Sequence, residues 1–294
     1  MTDAAYDPRL TPARPDLAAA YLADTIAAER YAEGEAFRVI GSAAALRRAA
    51  HSDAPLLSEL LFGEGFTVYE ARGEWAWGQS VRDGYVGYVR RDALAPGAGT
   101  PTHQVTTLFA QVYTAPDIKS PVRLTVPLAA PITVRDQDPS TRLARLEDGE
   151  GWISVAQIAS LGAPVRDPVA IAERFLGAPY LWGGRTALGL DCSALVQLSM
   201  ALAGIALPRD SDLQLAAVRN GLADLLDRTQ ARRGDLAFFP GHVGLMRDET
   251  CLIHANATRM AVSIDPLEEV VAWVARDHDP AFLGLYRLRA DLKA

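Results

Sequence analysis

Only two cysteines, Cys192 and Cys251, stand in the 294 residues. That is too few for the disulfide framework of a small extracellular scaffold. The first residues hold no basic stretch followed by an apolar run, so no secretory signal is read there. Both thiols are therefore expected to be free, in a reducing, cytoplasmic setting. No window approaches the roughly 20 apolar residues that cross a bilayer as a helix, so no membrane partner is expected. Basic charge is in deficit: 29 Lys and Arg face 36 Asp and Glu, a net charge of −7. Without a clustered basic surface, nucleic acid is not an expected partner. Also missing are HExxH, paired CxxC and carboxylate clusters at metal spacing, and Gly183-Gly184 alone is no phosphate cradle, so no metal and no cofactor are expected.

What remains is ordinary globular chemistry, 49% hydrophobic and 22% charged, at a length that allows two or three domains. Residues 1–52 read as an N-terminal helical segment: Leu17, Tyr21 and Leu22 recur at helical spacing after Pro15-Asp16, and a second helix is read over 41–50. Short β-rich runs fill 53–96, punctuated by Arg72-Gly73 and Asp83-Gly84. After the Ala95–Pro101 linker, a second β-rich block covers 102–162. The two blocks are read as tandem small barrels. From 165 to 294 the rhythm becomes helix, then strand. Helices are read over 168–177, 192–203 and 212–219, followed by the runs DLAFF, HVGLM, CLIHANA, AVSID and FLGLYRLR. The predicted fold class is α+β, helices on an antiparallel sheet.

Cys192 follows Asp191, a helix-capping residue, and so falls in the first turn of an apolar helix. That position is electropositive, which favours a thiolate, and its N–H groups can receive an oxyanion. The Asp191 carboxylate opposes the thiolate, so activation calls for a histidine. His242 and His254 lie on two strands joined near Arg247–Glu249. A three- or five-residue loop centred on Asp248 sets them directly opposite on one face; a two- or four-residue loop sends His254 to the other face. In the first register His242 can take the Cys192 proton while His254 orients its ring. The other candidates have plainer readings: Cys251 as a packing residue, Asp235 as a turn pin, and Trp75, Trp77 and Trp152 as barrel core.

Asp83-Gly-Tyr85-Val-Gly-Tyr88-Val resembles the closing strand of a bacterial SH3-like domain, with Leu57–Glu64 as its entry. Tyr180-Leu-Trp182-Gly-Gly184, Asp191-Cys192-Ser193-Ala-Leu-Val, Arg232-Arg-Gly-Asp235, Gly241-His242-Val-Gly and Ile253-His254-Ala, in that order, resemble the NlpC family of papain-like cell-wall cysteine peptidases. The resemblance implies Cys192 as nucleophile, His242 as base and His254 as the third polar member. Tandem SH3-like domains ahead of such a peptidase resemble a subgroup of dipeptidyl-peptidases. That subgroup acts on free murein stem peptides, between γ-D-glutamate and a diamino acid, either meso-diaminopimelate or lysine. It implies a free N-terminal L-alanine, with its amine near Tyr180, Asp191, Ser193 and Ser211 and near the barrel residues Glu64 and Tyr85; Trp182 is read as cleft wall or packing. Three alternatives stay open: an exported endopeptidase acting on intact peptidoglycan, an acyltransferase or amidase on the same core, and a binding module without catalysis.

Overall fold

Alternating burial marks where the β-rich runs become strands. In Gly65–Arg72 the first half alternates between half-buried and buried side chains, so Phe66 and Val68 face one core while Thr67 and Tyr69 face the other side of the sheet, where Tyr69 packs against Trp77. A computed structural model describes residues 6–149, 151–163 and 165–289. The chain divides into two compact units, 1–159 and 160–294.

In the first unit, seven antiparallel strands form one sheet. Their order is Leu56–Leu61, Ala43–Arg47, Val86–Arg90, Trp75–Ser80, Gly65–Arg72, Glu35–Val39 and Leu94–Pro96. Val39, Leu46, Leu60, Phe66 and Val89 fill its core. The predicted N-terminal helical segment does not form. Among the described residues of 1–52 there is one short 3-10 turn, Ala20–Leu22, and Glu35–Val39 and Ala43–Arg47 are strands of this sheet. The barrel thus begins upstream of residue 53. Alanine's helix preference amounts to only a few tenths of a kcal/mol per residue over most alternatives, less than burying Leu46 and pairing the strand on both sides. Pro8, Pro12 and Pro15 also interrupt any helix upstream. The segment instead lies along the sheet. Leu17 is buried with Trp77 and Val86, and the Arg14 guanidinium sits 4.3 Å from the Trp77 ring centre and 2.6 Å from Glu70. Residues 1–5 of that segment, and 290–294 at the other end of the chain, lie outside the described residues.

The second β-rich block forms a five-stranded sheet in the order Val122–Pro127, Phe109–Tyr113, Trp152–Ser154, Leu143–Leu146 and Val134–Asp138. It meets the first sheet closely. The Ser42 hydroxyl donates to the Thr125 carbonyl. Gly63, at φ +76°, has its missing side-chain position only 2.1 Å from the Pro131 carbonyl oxygen. Both the left-handed backbone and the contact demand glycine there.

In the second unit, six strands run in the order Ala223–Leu226, Gly284–Leu288, Leu236–Phe239, His242–Met246, Cys251–Asn256 and Ala261–Pro266, all paired antiparallel. The helix Cys192–Leu202 packs on the central strands, and every residue in it except Ala201 is buried. Helices Pro168–Ala172 and Ser211–Ala217 pack against it, and Leu267–Val274 packs on the sheet through Leu267 and Val270, with Phe239, Met246 and Leu252. Pro168–Ala172 falls inside its predicted span and Ser211–Ala217 begins one residue before its own; Leu267–Val274 and the strand Ala223–Leu226 were not read from the sequence. Asp235 pins a turn, as expected, accepting from the Arg232 N–H and pairing with Arg287 at 2.7 Å.

Gly63→Ala is expected to destabilise the first unit by about 1–3 kcal/mol, read as a lower denaturation midpoint in urea at unchanged slope.

Candidate active site

Cys192 is the first residue of its helix, and the Asp191 side chain caps that helix by accepting from the Ala194 N–H at 2.9 Å. The same carboxylate accepts from the Gly183 N–H at 2.9 Å and from the Ser193 hydroxyl at 3.1 Å. Arg209 grips it with both terminal nitrogens, at 2.9 and 2.6 Å. Both partners are buried, and Arg209 is fully so. A fork-on-carboxylate pair of this kind is among the stronger polar contacts available inside a protein. It ties the glycine loop, the helix start and the Pro208–Ser211 segment to one point. Gln214 adds to it, donating to the Ser193 and Pro208 carbonyls.

The Cys192 thiol lies beside this cluster and is itself buried. Burial, with the Asp191 charge, pushes it up to about 12; hydrogen bonds from the Val243 and Ser193 N–H groups and the Arg209 charge work in the other direction. The Val243 N–H is available because the ladder to the next strand pairs Leu245 with Ile253 and Met246 with Leu252, and Val243 lies beyond it. The helix end alone favours a thiolate, but burial and the Asp191 carboxylate oppose it. Desolvation outweighs the helix dipole, and the resting group is a thiol. Burial also pushes Tyr180 well above the ordinary phenol range, and the Cys192 and Asp191 charges add to the shift.

His242 is the first residue of its strand and half-buried. Its Nε2 lies 2.7 Å from His254 Nδ1, and His254 Nε2 lies 3.2 Å from Asp265 Oδ2. Burial, then the neighbouring His254, lowers His242 to about 3; burial likewise lowers His254, against a pull upward from Asp265. Both imidazoles are neutral at pH 7. Burial acts to raise Asp265, but hydrogen bonds from Ser263, Arg259 and His254 outweigh it and hold the carboxyl below its usual range.

The two histidines are not directly opposite. The loop between the last paired residues, Met246 and Leu252, does have five residues, but it is centred on Glu249 rather than Asp248. Continuing that register sets His254 across from Gly244 and His242 two residues further along, on the same face. A shift of two preserves the face, so the rings meet on a diagonal. Gly244 makes room: a side chain there would come within 3.2 Å of His254 Cβ and 2.6 Å of Leu252. His254 pairs with Ser263 on the following strand, which again makes Asp265 a diagonal neighbour.

The structure groups Tyr180, Asp191, Cys192 and Ser193 at the helix start and His242 with His254 on the sheet, and the Val243 N–H, next in the chain to His242, bonds Cys192 and links the two sets. Ser193 is buried, its hydroxyl engaged with Asp191 and Arg209. Ser211 begins the helix Ser211–Ala217 and is half-buried. Trp182 is 70% exposed and forms no part of the core. Glu64 and Tyr85 belong to the other unit. Glu64 is buried, accepts from the Leu61 N–H and lies 3.2 Å from Arg82, and Tyr85 lies in the core of the first sheet. Sequence reasoning missed Arg209, although it stands only two residues before Ser211. It also missed Asp265, which strand parity from His254 through Ser263 could have located.

Two outcomes follow from these environments. Arg209→Met leaves Asp191 buried without its counter-charge and is expected to cost about 3–5 kcal/mol, measured by urea unfolding. In the second, the unfolded chain takes up histidine protons from its ordinary pKa of about 6.5 downward, whereas folded His242 resists protonation until about 3. Above that window the two states bind protons alike; inside it the unfolded state binds more, so stability falls as pH drops. A His242→Asn, His254→Gln double variant should show a shallower fall between pH 6.5 and 3 than the parent protein.

Residues 177–276 match the NlpC/P60 family model, and residues 46–94 match the model of the bacterial dipeptidyl-peptidase Sh3 domain. The chain is 29% identical over 237 residues to dipeptidyl-peptidase 6 of Lysinibacillus sphaericus, covering 74% of this chain and 86% of that protein. It is 28% identical to the gamma-D-glutamyl-L-lysine dipeptidyl-peptidase of Bacillus cereus, covering 72% and 71%. A crystal structure of an NlpC/P60 family protein from Bacillus cereus shares the fold, with a TM-score of 0.71 at 22% identity over 86% of this chain and 99% of that one. Behind a bacterial Sh3 domain, then, this chain carries a peptidoglycan-associated cysteine peptidase domain of the NlpC/P60 family.

Proposed function

We propose that the protein hydrolyses the γ-D-glutamyl bond to a diamino acid in free murein stem peptides that begin with L-alanine, as part of cell-wall peptide recycling in the cytoplasm. The observation that carries this reading is the pairing of two matches on one chain. A dipeptidyl-peptidase Sh3 domain precedes the NlpC/P60 domain, and the relatives spanning most of both are named dipeptidyl-peptidases.

The chemistry proceeds through a resting thiol. As the substrate carbonyl approaches Cys192, His242 takes the thiol proton and sulfur bonds to carbon. The carbonyl oxygen becomes an oxyanion, received by N–H groups at the helix start. His242 then gives its proton to the amine of the diamino acid, the C–N bond breaks, and a thioester to the dipeptide remains. Water, deprotonated by His242, hydrolyses the thioester and restores the thiol.

An ammonium at the substrate's N-terminus calls for carboxylates and hydroxyls around it, and an acylated amine would leave those groups unpaired. Tyr180, Asp191, Ser193 and Ser211 are the peptidase residues assigned to that role. For Asp191 this is a second task, since its lone pairs already serve Arg209, Gly183, Ser193 and Ala194. Trp182, largely exposed, is assigned to the cleft wall.

The test is a mass-spectrometric digest of L-Ala-γ-D-Glu-meso-diaminopimelate and of the lysine peptide, each beside its N-acetylated twin, with the parent protein and Cys192→Ala. Cleavage of the free peptides only, lost in the variant, is the expected result. Equal cleavage of free and acetylated peptides, with solubilisation of intact peptidoglycan, would instead identify a wall-cleaving endopeptidase.

A further inference from the structure

The mechanism above employs Cys192 and His242 and gives Asp265 no part. Yet Asp265 is 3% exposed and engaged on every side. Its Oδ1 receives the Arg259 guanidinium at 3.0 Å, and its Oδ2 receives the Ser263 hydroxyl at 2.5 Å and faces His254 Nε2 at 3.2 Å. Asn256 Nδ2 donates to the Ser263 oxygen at 2.8 Å, which leaves the Ser263 proton for Asp265.

The roles along this chain are fixed by which groups can only donate and which can only accept. Arginine only donates, and an ionised carboxylate only accepts. Against ionised Asp265, His254 must carry its proton on Nε2. A neutral imidazole has one N–H, so His254 Nδ1 is bare and can only accept. His242 Nε2, 2.7 Å away, must then carry the proton of that ring. What is left to His242 is a bare Nδ1, the nitrogen that His254 does not engage. A general base needs that lone pair, and the opposite tautomer has none to offer the thiol.

We propose that Asp265 is a positioning residue of the peptidase site: held by Arg259 and Ser263, its carboxylate sets the tautomers of His254 and His242 in series, so that His242 presents Nδ1 as the base. The proposal rests on the reading of Cys192 as nucleophile and His242 as base. It goes beyond that reading by naming the group that makes His242 competent.

The decisive variant is Asp265→Asn, equal in shape and without charge. Because Arg259 only donates, the new amide must turn its carbonyl towards Arg259 and its NH2 towards His254 Nε2. Both tautomers then invert, and His242 Nδ1 carries a hydrogen. The expected result is a fall in kcat of about 100- to 10,000-fold with little change in KM, the scale known for a base locked in its wrong tautomer. Adding Arg259→Met to Asp265→Asn releases the amide to flip back, and should restore kcat by about tenfold or more, a non-additive gain that a purely structural role would not produce.

Nitrogen NMR of histidine-labelled protein reads the tautomers without kinetics. Nε2–H is expected on both His242 and His254 in the parent protein, and Nδ1–H on both in Asp265→Asn. A parent protein with Nδ1–H on His242 overturns the proposal without any substitution, as does an Asp265→Asn protein within about threefold of the parent kcat. Parent-level activity in His242→Ala would remove the base itself, a failure of the underlying reading that the NMR result distinguishes from a failure at Asp265.

Discussion

Asp191 and Arg209 are both withdrawn from water, and neither charge could remain so without the other. Because Asp191 immediately precedes Cys192, the demand that its charge be met is passed on to everything near the thiol. The Gly183 amide, the Ser193 hydroxyl and the Ala194 amide converge on the carboxylate, and Arg209 closes it from the far side. Hence a helix start, a glycine loop and a segment 18 residues downstream share one anchor. The nearly complete burial of the helix behind them removes the remaining freedom.

The same withdrawal from water sets the chemical character of the site. A dry environment penalises every ionised form, so thiol and imidazole rest neutral, and charge is created only as bonds are made. The site uses few groups to manage that charge. His242, His254 and Asp265 stand on three neighbouring strands, each displaced diagonally from the last, and each hands the next a defined hydrogen-bonding role. The active groups are thus borne by the ends and edges of a rigid sheet and by one helix terminus rather than by long loops, which favours fixed geometry over adaptability.

Much of this was legible in the residues. The Asp-Cys pair before an apolar run announced both the helix and its cap, and the alternation HVGLM followed by CLIHAN announced the hairpin. The face shared by His242 and His254 depended only on even spacing, so it survived a two-residue error in register. The N-terminal segment was illegible for the opposite reason. Its alanines carry a weak local preference, and the pairing that overrides it, Ala43–Arg47 against Leu56–Leu61 and Val86–Arg90, lies elsewhere in the chain. Arg209 was hidden because nothing local distinguishes an arginine bound for the interior from one at the surface. The helix Leu267–Val274 was passed over because it follows its strand without a break.

Surface loops commonly absorb insertions and deletions freely, but the link from Met246 to Leu252 is bound to a parity. Gaining or losing one residue there would carry His254 to the reverse side of the sheet, taking its hold on His242 with it. Gaining or losing two would keep the side but slide one ring a full step past the other. An exposed turn with no chemistry of its own is therefore as intolerant of length change as the buried helix, and lineages of this chain should record substitutions in it while keeping its number of residues constant.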